Sequence, residues 1–169
     1  VYASMHPDKL RALAIIEMSP KMERREGRNT FAAWQLLPKD TDSFEEYVNA
    51  AHELNPRRTL TQLRGSLSHQ IREFPNGKWS WKWDPVLRST DVSGWSEDRL
   101  WEIVPKIRTP MLLVRGGESG FVSDETEYRM TQSLPDMKSV MIPGAGHMVP
   151  GDRPVQLQNE LKDFLHPLM

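Results

Sequence analysis

Ile142-Pro143-Gly144-Ala145-Gly146-His147-Met148-Val149-Pro150 follows the apolar run Ser139-Val140-Met141-Ile142 and precedes an amphipathic stretch, Asp152 to Leu165. A short apolar run without alternation suits a strand covered on both faces, as in parallel sheets. Glycines then bracket a single histidine on a tight loop. In an open α/β sheet that loop holds an imidazole over the carboxyl ends of the strands, where such sheets bind ligands. A neutral imidazole there can take a proton from a hydroxyl and return it to a leaving group. On spacing alone the other reading is a loop histidine beside turn glycines.

Working outward, Met111-Leu112-Leu113-Val114 after Thr109-Pro110 reads as a second buried strand. Ser123 caps a helix from Asp124 to Leu134, with Asp124 and Glu125 favouring the dipole of its first turn. Near the start, His6-Pro7-Asp8 breaks a helix, because proline disfavours helical geometry before it. Leu13-Ala14-Ile15-Ile16 is a third buried run, ending at Glu17-Met18-Ser19-Pro20. Three parallel strands are expected, near residues 12–17, 111–115 and 138–142.

Residues 21–107 have a different texture. Asp42-Ser43-Phe44-Glu45 is a capping-box pattern opening a helix through Leu54. Asn55-Pro56 predicts a second helix whose buried stripe is Leu60, Leu63, Leu67 and Ile71. Asn76-Gly77 marks a turn, after which Trp79, Trp81 and Trp83 alternate with polar residues at period 2. Ser96-Glu97-Asp98 starts a short helix with Leu100, Trp101 and Val104. The expected fold is α/β: residues 1–20 and 108–169 form the sheet with its helices, and 21–107 a mainly helical cap.

Composition narrows the function. With 22 basic and 23 acidic residues in 169, the net charge is −1, so no electrostatic footprint for nucleic acid or anionic membrane exists. The basic run Lys21 to Arg28 is interrupted by two glutamates and reads as a solvated loop. No apolar run approaches the ~20 residues that cross a bilayer. There is no cysteine, which removes disulfides, thiolate zinc ligands and a thiol nucleophile. His6, His52, His69 and His166 are dispersed without metal-ligand spacing, so no metal is expected. A cytoplasmic location is expected, the cysteine count being compatible with it. The sequence opens on Val1 without an initiator methionine, a charged n-region or an apolar h-region, and a signal peptide on a missing N-terminal segment stays open.

Gly144 to Pro154 resembles the histidine loop and final helix of α/β-hydrolases. Thr109-Pro110-Met111-Leu112-Leu113-Val114-Arg115-Gly116-Gly117 resembles the penultimate strand of that family. Tyr2 to Leu10 resembles the helix between the nucleophile elbow and the sixth strand. The resemblance covers both ends of the chain, with a cap between them. It implies that His147 is the catalytic histidine of a Ser-His-acid hydrolase with no cofactor.

It also implies a nucleophile in a Gly-x-Ser-x-Gly elbow, and no such pentapeptide occurs here. Ser66 lies within a helix of the cap and Ser4 lies past the elbow. The elbow is therefore expected upstream of Val1. The 169 residues are expected to be a C-terminal portion, inactive alone and needing an N-terminal half or a partner chain. For the acid, Glu17-Met18-Ser19-Pro20 fits the carboxylate-x-x-Pro context that some relatives place after the sixth strand. Others place it after the penultimate strand, where this chain has Glu118-Ser119-Gly120. Glu17 is the preferred acid and Glu118 the alternative; a third reading is that neither touches His147. Asp124 is a first-turn helix residue.

The expected substrate is a small apolar ester or similar acyl compound. Trp79, Trp81, Trp83 and Met148, with Phe31, Trp34 and Phe74, are candidates for its pocket; the aromatics equally suit packing of the cap. Epoxide opening, dehalogenation and C–C hydrolysis occur on the same fold, and a non-catalytic fragment or binding protein is a further reading.

Overall fold

The computed structural model describes residues 1–21, 36–84, 86 and 96–168. It divides into two units, Val1–Gly27 with Ser93–Met169, and Arg28–Val92. The chain runs through α1 (Tyr2–Met5), β1 (Leu13–Ile16), β2 (Asp40–Thr41), α2 (Phe44–Leu54), α3 (Leu60–Leu67), β3 (Ile71–Glu73) and β4 (Trp79–Trp81). It continues through α4 (Glu97–Ile103), β5 (Met111–Gly116), α5 (Asp124–Ser133), β6 (Met137–Ile142), α6 (Val149–Asp152) and α7 (Pro154–Leu165).

In the first unit β5 lies between β1 and β6, parallel to both, with Leu13 opposite Met111 and Gly116 opposite Ile142. The period of two along β5 sorts its side chains between two cores. Met111 and Leu113 pack with Trp101, Val104, Val122, Met130 and Leu134. Leu112 and Val114 pack with Ile142, Val149, Leu157 and Phe164. Helices thus cover both faces, and each large apolar side chain removed from water contributes about 1.5–3 kcal/mol. Arg115 is also buried. Burial opposes its charge, but Asp124, at 2.7 Å, and Glu127 more than offset this and raise its pKa. That pairing fastens α5 to β5.

The three strands fall where the apolar runs predict them. β1 departs from the expectation of burial on both faces, because Ala14 is exposed. Local signals set the helix starts: the hydroxyls of Ser96 and Ser123 accept from Arg99 N and Thr126 N. The glycine-rich loop after β6 is shorter than expected. A helical turn, α6, intervenes before α7, which begins at Pro154 rather than Asp152.

The second unit pairs α2 and α3 with a small antiparallel sheet of order β2-β4-β3. Trp79–Trp81 is the central strand of this separate sheet and takes no part in the parallel one. Tyr47, Val48, Leu63, Leu67, Ile71 and Trp81 form the core. Three local expectations are corrected. The second helix is capped by Thr59 in a reciprocal box with Gln62, while Asn55 terminates α2. Ile71 leaves that helix and pairs with Trp81 in the sheet, yet packs into the same cluster as Leu63 and Leu67. At the start of α2, Ser43 is answered by Glu46, not Glu45, and Glu45 instead holds Arg64 of α3 at 2.8 Å.

Residues 96–107 group with the sheet unit, whereas the expected cap runs from 21 to 107. The reason is packing: α4 and the turn after it carry Trp101 and Val104 into the core beside Met111 and Leu113. The basic run after Lys21 lies outside the described residues.

Candidate active site

The carboxyl ends of all three parallel strands contribute. Glu17 follows β1 directly, with φ of 52°, the left-handed region that a non-glycine residue rarely occupies. Such a conformation costs on the order of 1 kcal/mol and persists where surroundings over-determine it. Here they do: Glu17 N donates to Val114 O at 2.9 Å, and the side chain is only 2% exposed. A buried carboxylate must be paired. Oε1 accepts from Gly116 N at 2.6 Å, Oε2 accepts from the Ser119 hydroxyl, and Oε2 lies 3.5 Å from Nδ1 of His147.

The turn after β5 supplies two of these contacts. Ser119 N donates to Gly116 O at 3.0 Å, which folds the hydroxyl back toward Glu17. The same hydroxyl oxygen accepts from Phe121 N at 3.2 Å. The buried Phe121 ring stacks on the imidazole of His147, with centroids 3.9 Å apart and planes 20° from parallel.

The histidine loop is tied to that turn by main-chain bonds from Gly117 N to Ile142 O, 2.9 Å, and Glu118 N to Ala145 O, 2.8 Å. The approach is close enough that a Cβ on Gly116 would lie 2.7 Å from Ala145 O. Gly144 takes φ of 69° beside the Arg153 guanidinium. Gly146 N donates to the buried carboxylate of Asp152 at 2.9 Å, so α6 braces the residue before His147. The His147 side chain is 28% exposed, but Nδ1 is shut away from solvent. The accessible part of the ring is therefore elsewhere.

Of the two candidate acids, Glu17 lies beside His147. Glu118 is exposed and engages the histidine loop through its main-chain N–H. Asp124 is in the first turn of α5 and pairs with Arg115. Met148, next to the histidine, is exposed. Trp79, Trp81 and Trp83 lie in or against the core of the second unit, where Trp81 meets Tyr47 edge-on at 5.8 Å. Phe31 and Trp34 lie outside the described residues. Among the described residues no group of three potential ligands can hold a metal, and no helix is long and apolar enough to cross a membrane.

Four participants escaped the sequence reading: the Gly116 amide, the Ser119 hydroxyl as a donor to Glu17, the Phe121 ring and the Asp152 brace. Each acts through a contact across loops. The one sequence signal was the family resemblance, which implies an acid near Ser119 or Gly120.

No family model matches the sequence. The chain is 29% identical over 159 residues to the esterase Rv0045c of Mycobacterium tuberculosis, covering 90% of this chain and 51% of that protein. A crystal structure of that esterase superposes with a TM-score of 0.72 at 26% identity, covering 97% of this chain and 55% of the other. The structure of E-2-(acetamidomethylene)succinate hydrolase gives a TM-score of 0.80 at 18% identity, covering 97% and 60%. The chain thus spans about half the length of the first of these relatives. By its parallel sheet, the helices on both faces and these likenesses, the chain has the α/β-hydrolase fold.

Proposed function

We propose that this chain carries the histidine and acid of a hydrolase acting on carboxylic esters or similar acyl substrates, with the nucleophilic serine on a segment upstream of Val1. The observation that carries the reading is the Glu17–His147 pair: a buried carboxylate 3.5 Å from an imidazole whose other parts reach solvent. Nδ1 is buried, and Glu17 is the acidic group beside it, so Nδ1 carries the hydrogen and Nε2 is left as the base. At this separation the two groups are in contact without a hydrogen bond; catalytic hydrogen bonds are often long without substrate and tighten when it binds.

In this reaction a serine hydroxyl attacks the acyl carbon while His147 takes its proton. The resulting imidazolium is stabilised by Glu17 and returns the proton to the leaving alcohol. Water then attacks the acyl-enzyme by the same route. Gly116 N and the Ser119 hydroxyl donate to Glu17 and fix its direction, which suits a group that orients the imidazole. The esterase relatives support ester chemistry for the whole protein.

The test uses the protein with its upstream coding segment, assayed on short-chain nitrophenyl esters. His147→Ala is expected to remove turnover by on the order of 10³-fold or more. A parent protein that turns over these esters equally well with and without His147 refutes the proposal.

A further inference from the structure

We propose that Phe121 is a positioning residue for His147, its ring face fixing the plane of the imidazole and stabilising the imidazolium through which the reaction passes. The inference rests on the reading of His147 as the base. The rings are 3.9 Å apart and 20° from parallel, so the imidazole meets the electron-rich face of the phenyl ring rather than its edge. A cation over an aromatic face within about 6 Å is attracted to it, and the more so when partly desolvated. A neutral imidazole gains less, so the contact strengthens as charge develops, which is the condition for lowering a barrier.

Phe121 is itself held. It is buried, and its N–H donates to the hydroxyl of Ser119, which also holds Glu17. One short turn, residues 116–121, therefore fixes the partner of Nδ1 and the plate beneath the ring together. Glu17 faces Nδ1 from the end of β1, and Asp152 reaches Gly146 N from α6. Arg153 stands beside Gly144, and Glu118 is exposed on the turn after β5. Glu17 favours the cation electrostatically, and Phe121 adds a contribution that bears no net charge.

That distinction gives the test. Phenylalanines carrying one, two and five ring fluorines are placed at position 121 of the full-length protein. They keep the shape nearly constant while draining and finally reversing the charge of the ring face. The titration midpoint of His147 is followed by NMR with histidine-labelled protein, the signal being assigned with His147→Ala. The expected result is a graded fall of the midpoint, reaching roughly half a unit to one unit. The acid limb of the kcat/KM profile should move to lower pH by the same amount, with KM little changed. A midpoint that stays level across the series overturns the proposal, since a ring that merely fills space would give that result. If the parent protein hydrolyses no ester, the proposed function fails, while the midpoints still decide whether Phe121 favours the cation.

Discussion

Replacing Gly116 with alanine should damage the site through backbone atoms alone. The added Cβ would lie nearest to Gly146 O, 2.7 Å from Ala145 O and 3.0 Å from the Gly146 carbonyl carbon, all in the main chain of the histidine loop. A relaxed carbon–oxygen contact is about 3.3 Å, so the loop must retreat by at least roughly 0.6 Å. The retreat stretches the 2.8 Å bond from Glu118 N to Ala145 O and carries His147 away from Glu17, already at 3.5 Å. A misplacement of about 1 Å at a reacting group can lower a rate on the order of 10²-fold, so kcat/KM for a nitrophenyl ester should fall by roughly 10- to 100-fold. Overpacking typically destabilises by about 1–3 kcal/mol, which lowers the melting temperature by about 2–10 °C. Gly65→Ala is the control: nothing outside its own helix backbone and chain neighbours stands within 4 Å of its Cβ, and at this exposed position of α3 alanine should stabilise by about 0.5–1 kcal/mol. A Gly116→Ala protein with parental kcat/KM and melting temperature would refute the steric argument.

Three further outcomes are expected. Glu17→Gln should lower kcat/KM by on the order of 10³-fold, whereas Glu118→Gln should leave it within about twofold; equal losses would undo the assignment of the acid. The Glu45 carboxyl is held below its usual value by the hydrogen bond and charge of Arg64. Its contribution to stability is therefore present above the ordinary carboxylate range and lost as pH falls through the lowered value, and an NMR titration of Arg64→Ala should show the midpoint return upward. Residues 1–169 alone should not turn over nitrophenyl esters; robust turnover abolished by His147→Ala would point to a nucleophile within this chain, with Ser119 the first to substitute.

The sheet was legible because Leu13–Ile16, Met111–Val114 and Ser139–Ile142 are short apolar runs bounded by proline, glycine or charge, and because period-2 sorting between two helical layers demands such runs. The loop position of His147 was legible from its glycines; its catalytic role is implied by the family resemblance and not by the spacing. Glu17 was legible only through its likeness to a family pattern, since nothing local announces that residue 17 meets residue 147. The misreadings have a common origin. Leu60, Leu63, Leu67 and Ile71 share a helical spacing because all four face one core, but Ile71 reaches it from a strand. Spacing reports which side is buried, not the backbone that delivers it. Trp101 and Val104 were placed with the cap for want of any sequence sign of which core would receive them.

The support of Glu17 by residues that follow β5 ties together two distant parts of the chain. The carboxylate belongs to one strand end, but the amide and hydroxyl that receive it belong to another, 99 and 102 residues away. A substitution in the turn at residues 116–119 therefore acts on Glu17, and through it on the surroundings of His147, without altering either residue.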